Sequence, residues 1–178
     1  PGSGKTTILS RTVTDLAGQL KFGVIEGDIQ TDTDADKIRA AGAQAVQIET
    51  KGACHLSAQQ VTDAMQKINP AEKHIIFIEN VGNLVCPSAF DLGENARAVV
   101  LSTPEGDDKP IKYPETFALA NVILINKIDI AEHISFNLEK VIADIKKVNH
   151  DAPILQLSAL TGQGMNQWYD WLKKSKTP

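Results

Sequence analysis

Pro1-Gly2-Ser3-Gly4-Lys5-Thr6-Thr7 opens the chain, and the reading of this stretch decides the fold. Closely spaced glycines let successive backbone N–H groups converge on a phosphate. Lys5 then reaches the outer phosphate oxygens, and Thr6 offers its hydroxyl to Mg²⁺. Gly2, Ser3, Gly4, Lys5, Thr6 and Thr7 are therefore the candidate phosphate-binding residues, with Lys5 standing in the loop, exposed and unnecessary to the core. The pattern also calls for a glycine two positions before Pro1 and a strand leading into the loop. Residues 1–178 are accordingly expected to be a nucleotide-binding domain lacking its first strand and the start of its phosphate loop. Beyond the loop, Ile8, Leu9, Val13 and Leu16 recur at helical intervals, which predicts the helix into which such a loop opens, over about 6–20.

Working outward, short apolar runs at 22–28, 45–48, 74–78, 97–102, 122–125 and 154–157 read as strands. Helical patterns at 32–41, 56–68, 115–120, 136–148 and 165–173 lie between or after them, with Gly42 and Pro70 as stop signals. Strands alternating with helices imply crossover units. The expected fold is α/β, a three-layer P-loop NTPase with a mostly parallel sheet covered on both faces. No repeat, low-complexity tract or linker divides the sequence.

The 178 residues hold 42% hydrophobic and 22% charged residues with a net charge of −4. No segment approaches the ~20 apolar residues of a membrane span, and no basic stripe is present to neutralise nucleic-acid phosphates. Neither membrane nor nucleic acid is an expected partner. Two cysteines make no disulfide framework, and a reducing cytoplasm suits them best.

Asn126-Lys127-Ile128-Asp129, directly after the apolar run 122–125, resembles the guanine-recognition motif of GTPases. There an Asp carboxylate accepts from guanine N1–H and the N2 amino group, which adenine does not offer. A buried acceptor left unpaired costs ~1–3 kcal/mol, so Asp129 would discriminate between the bases. Ser158-Ala159-Leu160 resembles the second base loop, where the Ala159 N–H would meet guanine O6. Glu79-Asn80-Val81-Gly82 stands where many GTPases place Asp-x-x-Gly. Glu79 would hold Mg²⁺ through water, and Gly82 would approach the γ-phosphate, making 79–86 a nucleotide-sensing switch. Asp28 and Asp34 are candidates for Mg²⁺ coordination and for orienting the attacking water. Asp32 and Asp36 fit helix-start acids equally well.

Cys54 and His55 are adjacent, and the only other cysteine, Cys86, ends the proposed switch. Thiolate and imidazole suit Ni²⁺ and Zn²⁺. Spacing alone does not separate a metal site from two small buried cysteines beside a surface histidine, because structural zinc usually takes four ligands in tighter pairs. Three ligands would leave an open position or call on a second protomer. His74, His133 and His150 stand singly and read as surface or strand-end residues.

Gly52-Ala53-Cys54-His55-Leu56, the run 78–87, Glu105-Gly106-Asp107-Asp108-Lys109-Pro110 and Tyr113-Pro114 closely resemble the HypB family, the nickel-incorporation GTPases of [NiFe]-hydrogenase maturation. The resemblance covers essentially the whole chain. It implies a SIMIBI-type GTPase, related to signal-recognition and nitrogenase-iron-protein enzymes, that binds GTP/GDP and dimerises with nucleotide. It also implies Ni²⁺ or Zn²⁺ bound through Cys54, His55 and Cys86, and partnership with the HypA accessory protein and the hydrogenase large subunit. The urease accessory GTPase UreG is the nearest rival, but it carries Cys-Pro-His where this chain has Cys54-His55. A nickel store or sensor using nucleotide as an allosteric ligand is the alternative of a different class.

Overall fold

The computed structural model describes residues 2–28, 33–50 and 52–175. Two compact units are formed: Lys5–Gly93, and Gly2–Gly4 together with the chain from Glu94 onward.

In the first unit, α1 (Lys5–Asp15) leads to β1 (Phe22–Asp28), α2 (Thr33–Ala40), β2 (Gln44–Glu49), α3 (Ala58–Ile68) and β3 (Ile75–Glu79). The strands make a parallel sheet in the order β2-β1-β3, with Glu26 of β1 in register with Gln47 on one side and Glu79 on the other. Parallel pairing demands crossover segments, and α2 and α3 supply them. The α3 face Val61, Ala64 and Ile68 packs with Ile25 and Leu56 into one apolar cluster. Leu56, expected as the first helical residue, instead precedes the helix. Ser57 is the N-cap, its hydroxyl accepting from the Gln60 N–H while the Gln60 side chain accepts from the Ser57 N–H. This reciprocal cap fixes the helix start. The first helix is shorter than its apolar spacing suggests, because the chain turns at Gly18 with φ +82°. Leu16 stays buried beyond the helix end and so continued the apolar pattern.

The second unit carries β4 (Ala98–Ser102), α4 (Lys109–Lys112), α5 (Pro114–Ala118), β5 (Val122–Asn126), α6 (Leu138–Val148), β6 (Ile154–Gln156) and α7 (Met165–Ser175). Its sheet is again parallel, ordered β4-β5-β6. Every residue of β5 is buried, as expected of a central strand covered on both faces. Val99, Leu101, Phe117, Ile123, Ile125, Val141 and Ile145 build the core. The expected helix at 115–120 starts and ends earlier, and α4 precedes it unforeseen. Asn149 Nδ2 donates to the Phe117 and Ala120 carbonyls at 2.8 and 2.9 Å, tying the end of α5 and the residues after it to the segment that follows α6.

Candidate nucleotide and metal sites

In the second unit the phosphate loop meets the base loop through one side chain. Asn126, 2% exposed at the end of β5, donates from Nδ2 to the Ser3 carbonyl at 2.8 Å and accepts at Oδ1 from the Ala159 N–H at 3.1 Å. The sequence assigned that Ala159 N–H to guanine O6; in this structure it points at Asn126. Lys127 is held at φ +65°, an uncommon conformation for a side-chain-bearing residue. Its carbonyl accepts from Thr103 Oγ1 at 2.9 Å, and its Nζ donates to the Gly2 carbonyl at 2.7 Å. Gly4 has φ +89°, and a Cβ there would lie 2.4 Å from Asn126 Nδ2, so the loop passes too close for any side chain. Ser158 is fully buried, and its hydroxyl accepts from the Thr161 N–H. Leu160, next to Ala159, stands 78% exposed.

Asp129 tests the fit to guanine. Its Oδ1 is buried without a hydrogen-bond partner among the described residues. Such an acceptor is costly unless a ligand supplies the donor, which a base bearing adjacent N–H groups would do.

The first unit places the triphosphate-handling residues. Thr6 Oγ1 donates to Glu79 Oε1 at 3.1 Å, and Lys5 Nζ lies 3.7 Å from the same oxygen. Lys5 is thus not the exposed loop lysine expected from sequence: it begins α1, its side chain is 27% exposed, and it neutralises a carboxylate that is only 9% exposed. A hydroxyl and a carboxylate in mutual contact at the phosphate-loop helix are a hard-oxygen pair of the kind Mg²⁺ takes together with waters and phosphates. Thr7 is exposed on α1 and Gly82 is half-buried beyond β3. Asp28 ends β1, but its side chain and that of Asp34 lie outside the described residues, as does Asp32. Asp36 makes a surface pair with Arg39 at 2.7 Å.

The soft donors are also brought together in the first unit. Cys54 Sγ and His55 Nδ1 lie 3.6 Å apart. The Cys86 thiol is hydrogen-bonded to Cys54, and this bond first, then desolvation, hold its pKa above the ordinary thiol value. Both thiols are half-buried and unoxidised. The His55 ring stacks on Phe90 with centroids 3.7 Å apart. Among the described residues no group of three or more metal-type side chains converges as a ready cage. Cys54 is near both His55 and Cys86, but the trio is open. His74 does as expected of a strand-end residue, its Nδ1 accepting from the Lys21 N–H.

Three residues escaped the sequence reading. Asn83 Oδ1 accepts from the Val85 and Cys86 N–H groups, shaping the turn that presents Cys86; an Asn two and three residues before those amides was a legible turn signal. Asn80 Oδ1 accepts from the Leu56 and Val81 N–H groups, and its long-range bond left no local trace. Gly164, at φ +72°, lets the backbone pass where a Cβ would sit 2.0 Å from the Gln156 carbonyl.

Fold and site together define a P-loop nucleotide-binding protein of the SIMIBI class. The family model for the CobW/HypB/UreG nucleotide-binding domain matches residues 1–156. The hydrogenase maturation factor HypB of Escherichia coli K12 is 48% identical over 176 residues, 99% of this chain and 61% of that protein. That of Rhizobium leguminosarum bv. viciae is 51% identical over 98% of this chain and 58% of its own length. The chain therefore spans about three fifths of the length of these two relatives. A crystal structure of Helicobacter pylori HypB in complex with nickel superposes with a TM-score of 0.93 at 40% identity, covering 99% of this chain and 83% of that one. The chain belongs to the HypB family.

Proposed function

We propose that this chain is the GTP-hydrolysing domain of a metallochaperone that binds Ni²⁺ or Zn²⁺ and uses a nucleotide switch to support nickel insertion into [NiFe]-hydrogenase. The observation that carries the reading is a single short segment. It begins at Glu79, bonded to Thr6 and paired with Lys5, and ends at Cys86, bonded to Cys54 beside His55. The nickel complex of the H. pylori relative supports the choice of cargo.

In the proposed cycle Asp129 reads guanine, the phosphate-loop N–H groups and Lys5 hold the phosphates, and Thr6 and Glu79 hold Mg²⁺. Mg²⁺ held there by Thr6 and Glu79 would supply charge neutralisation to the phosphates. When Lys5 turns to the phosphates, Glu79 exchanges its present partners, and the segment through Gly82 moves with the γ-phosphate. Cys86 is then displaced relative to Cys54 and His55. Nickel, as cargo, replaces the protons of the two thiols on binding, so its affinity depends on how the thiols are held. Hydrolysis is slow and switch-like, the nucleotide-bound form is a homodimer, and the HypA accessory protein and the hydrogenase large subunit are the proposed partners. A cytoplasmic setting keeps the thiols reduced.

The test is nickel and zinc affinity in GDP and in a non-hydrolysable GTP analogue, for the parent protein and Cys86→Ala, beside GTP turnover. Affinities should differ between nucleotide states by about 5–150-fold, with metal changing nucleotide affinity reciprocally. Cys86→Ala should weaken or abolish the difference, and Cys54→Ala should lose metal binding in both states. Equal affinities in the parent would leave a passive metal store beside a GTPase.

A further inference from the structure

Two consecutive residues face two different sites. Glu79 contacts Thr6 and Lys5 at the start of α1. Asn80, the next residue, turns its Oδ1 to the Leu56 N–H at 3.0 Å while also accepting from its neighbour's Val81 N–H at 2.9 Å. The Leu56 amide is the peptide unit whose carbonyl carbon belongs to His55. Leu56 itself is fully buried, its side chain wedged against the backbone of Gly27, where a Cβ would meet it at 2.8 Å. The loop bearing Cys54 and His55 is therefore anchored on one side by the Leu56 side chain and on the other by Asn80. The Asn80 oxygen is thus a polar tie between the segment leaving β3 and the backbone next to two metal donors.

From this geometry we infer that Asn80 is the positioning residue that passes nucleotide state to the Cys54–His55 side of the metal site, complementing the direct displacement of Cys86. The inference rests on the nucleotide-switched metal reading above. A shift of Gly82 toward a γ-phosphate moves Asn80, two residues upstream. The shared oxygen then either draws the His55–Leu56 peptide with it or surrenders the Leu56 N–H, whose buried surroundings offer no ready exchange with water. Either outcome changes where His55 stands relative to Cys54. The relay uses only the Asn80 oxygen, which makes an isosteric carboxamide-to-carboxylate change informative.

The experiment measures Ni²⁺ affinity of the whole chain loaded with GDP and with a non-hydrolysable GTP analogue, for the parent, Asn80→Ala and Asn80→Asp, with thermal melts to verify folding. The parent is expected to show a ratio of about 5-fold or more between states. Asn80→Ala should clearly lower that ratio, leaving only the share that the Cys86 displacement carries, whereas Asn80→Asp, which keeps the acceptor at the same place, should retain most of it. A merely structural role would weaken nickel binding in both states alike and leave the ratio untouched. A coupled parent whose ratio survives Asn80→Ala overturns this inference alone, as does loss of the ratio in both variants. Equal affinities in the parent overturn the switch reading together with it.

Discussion

Asp129→Asn should move stability and affinity in opposite directions. Asp129 Oδ1 is buried with no partner among the described residues. Leaving such an acceptor unsatisfied costs ~1–3 kcal/mol, and an uncharged amide is cheaper to hold there than a carboxylate. Taking the low end, about 1 kcal/mol, the substitution should raise the melting temperature of the nucleotide-free domain by about 2–4 °C at this chain length. Guanine binding should suffer, because the carboxylate accepts from two base N–H groups and the amide turns a donor toward one of them. Losing one charge-assisted hydrogen bond at ~1.5–3 kcal/mol and leaving a base donor unpaired at ~1–3 kcal/mol correspond to roughly 10²- to 10⁴-fold weaker GTP binding. Xanthosine triphosphate, with a carbonyl at C2, should be partly restored. The assay is a thermal melt without nucleotide, paired with titration of GDP, GTP and xanthosine triphosphate. Unchanged GTP affinity would show that Asp129 does not read the base. A melting temperature several degrees lower would show that Oδ1 is already satisfied, refuting the account of its burial.

Gly4→Ala should lose nucleotide binding and melt lower, since its Cβ would collide with Asn126 Nδ2 at 2.4 Å and its φ of +89° suits glycine alone; melting together with nucleotide titration checks it, and a parent-like variant would mean the loop is not held as described. Lys5→Ala should abolish tight nucleotide binding while the chain still folds. It should also melt modestly lower, because the 9%-exposed Glu79 loses its cation; circular dichroism and equilibrium binding separate these, and loss of the fold would count against the assignment. Asp144 lies 2.6 Å from Lys147 and 3.6 Å from Lys140, and its pKa is lowered, first by the Lys147 hydrogen bond. With a folded pKa below the unfolded one, its contribution is fully present above about pH 4 and is lost as pH falls through the folded value. Asp144→Asn should therefore lower stability at neutral pH and flatten the acid side of the stability curve, which melts between pH 3 and pH 7 would reveal.

What the sequence by itself determined was everything carried by short-range rules. The six strands and the principal helices follow from the period of apolar residues and from stop signals such as Pro70, because which side chains share a face is set by the local backbone repeat. The phosphate-loop string and the Asn-Lys-x-Asp string were readable for the same reason, since each packs its chemistry into consecutive residues. Ends were misjudged where tertiary partners decide them: Leu56 looked helical because it is buried, and the carbonyls of Phe117 in α5 and of Ala120 beyond it are bound by Asn149, from just after α6. Only the tertiary structure decided that Asn126 braces Ser3 across 123 residues, that Lys5 rests on Glu79, and that Asn80 holds the backbone beside His55. It also decided that Cys86 reaches Cys54, a proximity that spacing left open. These contacts depend on the register of parallel strands and on which faces meet. Those are set by packing the whole core at once, and no window of neighbouring residues contains them.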